Sequence, residues 1–392
     1  MIIKNGLVFT DECCFKRCDI ETKDELINKI IIDSSCDYGD KLNAADNGKA
    51  SDCDDTVIDA EGKYVIPGLI DIHFHGAVGH DFCEGTDESI DAIAGFEISK
   101  GVTSICPATM TLAEETLAGI CENAAAYNRT HTDSPLVGIN LEGPFLSEAK
   151  KGAQNGAYLR KPDASMVKSL IEKSEGLTKL ISIAPELDGA IDCIKECGSD
   201  IKFSIAHTAS DYNTAMEAIK AGATHITHLY NAMYGFTHRK PGVIGAAFDS
   251  EGCEVELICD GVHIDPAVIR ATFKLFDDDR VILISDSMMA CGMPDGKYEL
   301  GGQPVNVNGS HATLDDGTLA GSVTNLMDCM RNVVRFGIPL ESAVKAATIN
   351  PARSIKVDDK YGSISTGKIA NLVVLNKDLS LDKVIYHGSI IK

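Results

Sequence analysis

A chain of 392 residues, 44% hydrophobic and 24% charged, can bury one large α/β domain with a smaller appendage. Its formal net charge of −22 argues against nucleic acid or an anionic membrane as partner, since both need concentrated positive charge, and it requires any anionic small substrate to be held by a local basic pocket. No apolar run reaches the length of a membrane span and the opening MIIKNGLVFT lacks the features of a secretory signal, so a cytoplasmic protein is expected.

Residues 1–66 read as short strands, in MIIKNGLVFT, INKIIIDSS and TVIDAEGKYVIPG, interrupted by a polar surface excursion at 36–55. The cysteines, fourteen in all, read as reduced thiols. Cys13, Cys14 and Cys18 make a tight cluster and Cys193 and Cys197 stand at helical spacing, but no second pair completes a zinc-ribbon or finger pattern. From about residue 64 onward, eight apolar runs follow: YVIPGLIDIHFH, VTSICPATM, LVGINLEGPF, LISIAPE, IKFSIAHT, THITHLYNAM, EVELICDGVH and VILISDSMM. Amphipathic segments such as ESIDAIAGFEISK, YNTAMEAIKAG and DPAVIRATFKLF fall between most of them; GVIGAAFDS, in the sixth unit, is a poor helix former. Eight β-then-α units imply a parallel sheet closed as a TIM-like (β/α)8 barrel over residues 67–364. The strand-rich ends, residues 1–66 and 365–392, are expected to assemble into one small discontinuous β-sandwich domain.

Metal-competent side chains gather where these strands end: His73 and His75 after the first, Glu142 after the third, Glu186 after the fourth, His207, His228 and His263 after the next three, and Asp286 after the last. In a barrel those ends share one face, where the active sites of the fold are built. Imidazole and carboxylate suit Zn2+ or Fe2+. Glu142, His207 and His228 give a triad from neighbouring strands; His73 and His75, on one face of an extended segment, could hold a second ion with Glu142 bridging. Asp286 stands where a carboxylate could take a proton from water and deliver it to a leaving nitrogen. Arg239 could fork onto a phosphate or carboxylate and Asn231 could cap a helix or orient a ligand, each a weak signal by itself. No Walker A loop, dinucleotide fingerprint or nucleophile elbow is present.

Taken together, PGLIDIHFHG, LEGPF followed by KKGAQ, AHT, THLYNAM with RKPG downstream, CDGVHIDP, ISDS, PDGKYELGG and GTLAGS resemble the N-acetylglucosamine-6-phosphate deacetylases of the amidohydrolase superfamily, in consistent order from about residue 60 onward. The resemblance implies a metal-dependent hydrolase, usually a homodimer, that releases acetate from a 6-phosphorylated amino sugar. It implies Glu142, His207 and His228 as metal ligands and Asp286 as proton acceptor and donor. It further implies Asn231, Ala232 and Arg239 as substrate contacts, Arg239 at the phosphate, with Ala153, Gln154, His263, Leu319, Ala320 and Gly321 lining the sugar pocket. The His73/His75 pair, which some members lack, tilts the expectation toward two ions. Gln154 stands where other members carry a histidine, and Ser287 where alanine is common. The epimeric N-acetylgalactosamine 6-phosphate is the rival substrate; a non-catalytic scaffold would be marked by lost ligands, and none is lost here.

Overall fold

The computed structural model describes residues 1–32 and 56–392, so the polar excursion expected at 36–55 lies outside the described residues. The chain divides into two compact units, Met1–Gly68 with Asp358–Lys392, and Leu69–Val357.

In the first unit, Ile2–Phe9, Phe15–Lys23 and Leu26–Ile32 form an antiparallel meander. Tyr64–Pro67 runs parallel to the first of these and antiparallel to Leu372–Leu375, which continues into Leu381–Tyr386 and Ser389–Ile390. Leu26 at the far edge bridges Ile369, so the sheet curls back onto the C-terminal segment. Alternate residues along Phe15–Lys23 turn inward, the period of two expected of a strand buried on one face. Ile3, Val8, Ile20, Ile27, Val65, Leu372, Val374 and Ile385 fill the enclosed core. Cys18 is part of it, and no described cysteine is in a disulfide.

The second unit is the barrel. Its parallel strands are β1 (Leu69–Asp71), β2 (Val102–Ile105), β3 (Ile139–Phe145), β4 (Thr178–Ile183), β5 (Lys202–Ile205), β6 (His225–Ile226), β7 (Glu254–Ile258) and β8 (Val281–Ile284). Each pairs in parallel with the next, through the short Ala108–Thr109 segment between β2 and β3. The ring closes beyond β8, where Asp286 N–H donates to His73 O at 2.9 Å and His75 N–H to Ser287 O at 2.7 Å. Ser287 adds a bond that alanine could not make, from its hydroxyl to Gly76 O at 2.9 Å. Strands β1, β2, β3 and β8 are buried at every residue, as a sheet covered on both faces requires.

The helices after the strands are α1 (Asp87–Ser99), α2 (Glu114–Thr130), α3 (Ala164–Lys173), α4 (Ala190–Cys197), α5 (Tyr212–Ala221), α6 (Gly242–Phe248), α7 (Pro266–Arg280) and α8 (Leu326–Arg335). Side chains of Thr86, Asp163, Asp211, Asp265 and Asn325 cap α1, α3, α5, α7 and α8. The glycine-rich α6 lacks such a cap but still forms, because Gly242–Ala247 are all buried and tertiary packing overrides weak propensity. No helix among the described residues is long and apolar enough to cross a membrane.

One element was not apparent in the sequence. Between β8 and α8 the chain inserts a three-stranded antiparallel sheet, Gly296–Leu300, Gln303–Asn308 and His311–Thr313. Its apolar side packs Leu300, Val305, Val307 and Ala312 against Met110, Ala153, Met288 and Ala320.

Candidate metal centre

Strand ends place the chemistry. His73 and His75 follow β1, Glu142 lies within β3, His207 follows β5, His228 follows β6 and Asp286 follows β8. All six are buried, none more than 7% exposed. His207, His228 and Asp286 adopt left-handed backbone conformations, φ 40°, 27° and 50°, which non-glycine residues rarely take and which cluster where structure is held for function.

Glu142 is the hub. Its Oε1 lies 2.9 Å from His207 Nε2, 3.1 Å from His228 Nε2 and 3.6 Å from His73 Nε2, and the two nitrogens of His207 and His228 are 3.1 Å apart. Its Oε2 lies 3.3 Å from His75 Nε2, and Asp286 Oδ1 lies 3.4 Å from that same nitrogen. Donors around one zinc ion, each at about 2.0–2.1 Å from it, sit roughly 3.3 Å from one another, so this spacing suits a shared cation. Candidate ligand atoms of His73, His75 and Asp286, and of His73, Glu142 and His228, all lie within 4.8 Å of each other in their sets.

The tautomers decide whether the cluster fits a metal. His207 Nδ1 lies 2.9 Å from Lys150 O, and His73 Nδ1 lies 2.9 Å from Glu256 Oε2. A carbonyl or carboxylate oxygen only accepts, so both Nδ1 atoms carry hydrogen and Nε2 is the atom each ring turns toward Glu142. His73 Nε2 is buried without a hydrogen-bond partner among the described residues. Nitrogens gathered round a buried carboxylate call for positive charge between them, a proton or a cation. Burial alone would lower His73 and His75, yet Glu256 and Glu142 hold His73 well above the ordinary imidazole value, and Asp286 and Glu142 push His75 up to about 10, so the carboxylates draw positive charge to the cluster. Burial would raise Glu142 and Asp286, yet the imidazoles hold Glu142 well below the usual carboxylate range and His75 and His73 hold Asp286 down.

Gln154 finishes the hub. Its Nε2 donates to Glu142 Oε2 at 2.6 Å while its Oε1 accepts Thr111 N–H at 2.7 Å, which leaves Glu142 Oε1 facing the histidines.

The centre opens into a cavity of about 350 Å3 lined by His75, Glu142, Gln154, His207, His228 and Asp286, and beyond them by Ala153, Asn231, Ala232, His263, Leu319 and Gly321. His263 Nδ1 is 2.7 Å from Asp260 Oδ2, which makes Nδ1 the proton-bearing nitrogen and fixes the ring. Three expected residues stand apart. Arg239 is exposed on the 234–240 stretch, outside the lining; Ala320 is in the apolar cluster beneath the inserted sheet; Glu186 binds Thr208 Oγ1 and Ala209 N, each at 2.6 Å, and so braces the loop after His207. Lys150, Met110, Leu300 and Thr318 also line the cavity, and sequence reasoning passed over them. Lys150 had a visible signal, as the first lysine of KKGAQ.

The amidohydrolase family model matches residues 64–391, which take in the whole barrel unit and the C-terminal strands. This chain belongs to the amidohydrolase family. The amidohydrolase is 36% identical over 332 residues to the N-acetylglucosamine-6-phosphate deacetylase of Bacillus subtilis (strain 168), covering 83% of this chain and 84% of that one. It is 31% identical over 338 residues to the N-acetylgalactosamine-6-phosphate deacetylase of Escherichia coli O157:H7, covering 86% and 89%. The D267A mutant of N-acetyl-D-glucosamine-6-phosphate deacetylase from Mycobacterium smegmatis, solved in complex with N-acetyl-D-glucosamine-6-phosphate, superposes with a TM-score of 0.89 at 30% identity, covering 100% of this chain and 98% of that one. In this amidohydrolase the residues at the barrel mouth thus sit at the ends of eight strands, with an inserted sheet beside the cavity.

Proposed function

We propose that this amidohydrolase hydrolyses the acetamide of N-acetylglucosamine 6-phosphate to glucosamine 6-phosphate and acetate. One observation carries the reading: His73 and His207, their Nδ1 atoms engaged by Glu256 and Lys150, turn their Nε2 atoms to a buried carboxylate at a cavity of small-molecule size. The relatives named above, which act on 6-phosphorylated N-acetyl amino sugars, supply the substrate class.

Glu142, His207 and His228 would hold a divalent ion, with Zn2+ favoured over Fe2+, and His73 with His75 a second one, Glu142 between them. When bound, such an ion supplies Lewis acidity, lowering the pKa of water to roughly 7 and stabilising charge on a carbonyl oxygen. Asp286, held ionised by its neighbouring imidazoles, accepts the proton of the attacking water and returns it to the departing amine. His263, fixed by Asp260, presents its other nitrogen to the cavity, where it can donate to the substrate once protonated. Asn231 and Ala232 hold the sugar, its backbone following the bond from Asn231 N–H to His228 O at 2.9 Å. A cytoplasmic location would suit such a substrate, since a phosphorylated sugar does not cross membranes unaided. A homodimer would cover the exposed Tyr234 and Phe236 beside Arg239 and bring that arginine near a phosphate.

Purified protein analysed for metal and assayed for acetate release tests the reading. One or two equivalents of zinc or iron are expected, with activity lost on chelation and restored by Zn2+. No acetate from either epimer in the metal-loaded protein overturns it. The 31% identity to the galactosamine enzyme gives the second reading a specific basis, and kcat/KM on the two epimers side by side separates them.

A further inference from the structure

Glu256 lies inside β7, wholly buried, among Val255, Leu257 and Ile258. It does not line the cavity. A carboxylate at such a position is costly where a β-branched residue would pack, unless it is fully used.

One of its oxygens is used twice. Oε2 is 2.9 Å from His73 Nδ1 and accepts the backbone N–H of His228 at 3.1 Å. The first contact fixes the His73 tautomer and leaves Nε2 facing Glu142 at 3.6 Å and Asp286 at 3.9 Å. The second holds the main chain of His228, the residue with φ 27°, and the next amide, Leu229 N–H, donates to Glu256 O at 2.9 Å. Glu256 therefore grips one residue from each ligand set: a ring from the His73/His75 set and the backbone of a ligand in the Glu142/His207/His228 set. Its other oxygen, Oε1, makes no hydrogen bond among the described residues; His225 Nε2 faces it at 3.7 Å, and His225 Nδ1 meets Ser204 Oγ at 2.8 Å.

We infer that Glu256 is a positioning residue that sets the affinity of the ion held by His73 and His75 and ties that position to its neighbour through His228. The inference rests on the reading that this centre binds divalent ions. A carboxylate on the far nitrogen of a ligating imidazole fixes the ring's orientation and strengthens its basicity, and losing such a partner typically costs about 10–100-fold in metal affinity.

The test uses full-length, metal-free protein and counts Zn2+ bound by equilibrium dialysis across free-ion concentration. Wild type takes up two ions in two steps. In Glu256→Gln the amide oxygen still accepts from His73 and His228 but without the charge, and the step that His73→Ala also weakens moves about 10–100-fold to higher Zn2+ while the other step moves less. His73→Ala lowers that same step, and adding Glu256→Gln to it changes the step no further. Circular dichroism and melting of the metal-free variants show whether the fold is kept; a carboxylate serving only to satisfy buried donors would shift melting and leave the two Zn2+ steps in place. Unchanged steps in Glu256→Gln, a wild type that takes a single ion, or additive effects in the double variant each overturn the assignment. A wild type that takes up no ion is a different failure, of the metal reading itself.

Discussion

Two glutamates in the barrel unit, Glu142 on β3 and Glu97 on α1, are 2% and 0% exposed, yet they are held in opposite states. Burial pushes both carboxyls up. Around Glu142 the imidazoles of His73, His207 and His228 overturn that push and keep the group ionised, and Gln154 donates to its second oxygen. Around Glu97 nothing overturns it: neither oxygen has a hydrogen-bond partner among the described residues, the like charge of Asp71 adds to burial, and the opposing charge of Lys100 is the smallest of the three influences. Equal burial with unequal surroundings shows that the barrel mouth is organised to keep negative charge for a cation, whereas the inner side of α1 tolerates a neutral acid.

The largest way to break this contrast is to discharge the hub. Glu142→Gln should lose bound zinc and reduce acetate release to background, both measured on purified protein; full metal content and full activity would show that Glu142 is no more functional than Glu97. Asp286→Asn comes next. It should lower kcat by roughly 10²–10⁴-fold, the usual share of a general acid–base group, while the zinc content stays at the wild-type value. A parallel loss of zinc would move Asp286 from proton transfer to ligation.

The sequence made the two glutamates look unequal for the right reason in one case only. Glu142 was legible because it ends an apolar run, as do His73, His75, His207, His228 and Asp286, and ends of parallel strands converge on one face by topology alone. The eight strands were legible from the same runs. Glu256 and Glu97 were not, because their surroundings come from other parts of the chain: the partners of Glu256 are 183 and 28 residues away, and no local pattern marks a carboxyl in mid-strand as a clamp. Glu186 misled by occupying a strand end while its side chain turns to Thr208, Ala209 and Ser210. Helix α6 reads poorly because propensity cannot see burial, and the inserted sheet hides in a polar, glycine-containing stretch.

Removing the neutral partner of the hub gives a smaller effect. Gln154→Leu keeps a similar side-chain volume at a site 3% exposed but takes away a hydrogen bond to a charged group and leaves Thr111 N–H without its acceptor. A loss of about 1.5–3 kcal/mol is expected for a bond of that type, read from urea unfolding of metal-free protein. Unchanged stability would mean that the imidazoles alone hold Glu142, and the contrast with Glu97 would then rest on charge without hydrogen bonding.

The smallest effect comes from the other side of the comparison and depends on pH. The folded pKa of Glu97 is raised well above the ordinary value, first by burial and then by Asp71, so the folded chain keeps a proton that the unfolded chain releases above about 4.3. Folded protein binds more protons than unfolded protein across that window, and this group's contribution to stability must therefore fall as pH rises from about 4.3 toward the folded pKa. Glu97→Gln removes the titration while keeping the shape. Its melting temperature should match wild type near pH 4 and exceed it increasingly as pH rises toward 8, followed by calorimetry on metal-free samples so that ion binding does not enter. A variant less stable than wild type at pH 8 would mean that Glu97 is ionised and partnered in the folded chain, in the manner of Glu142.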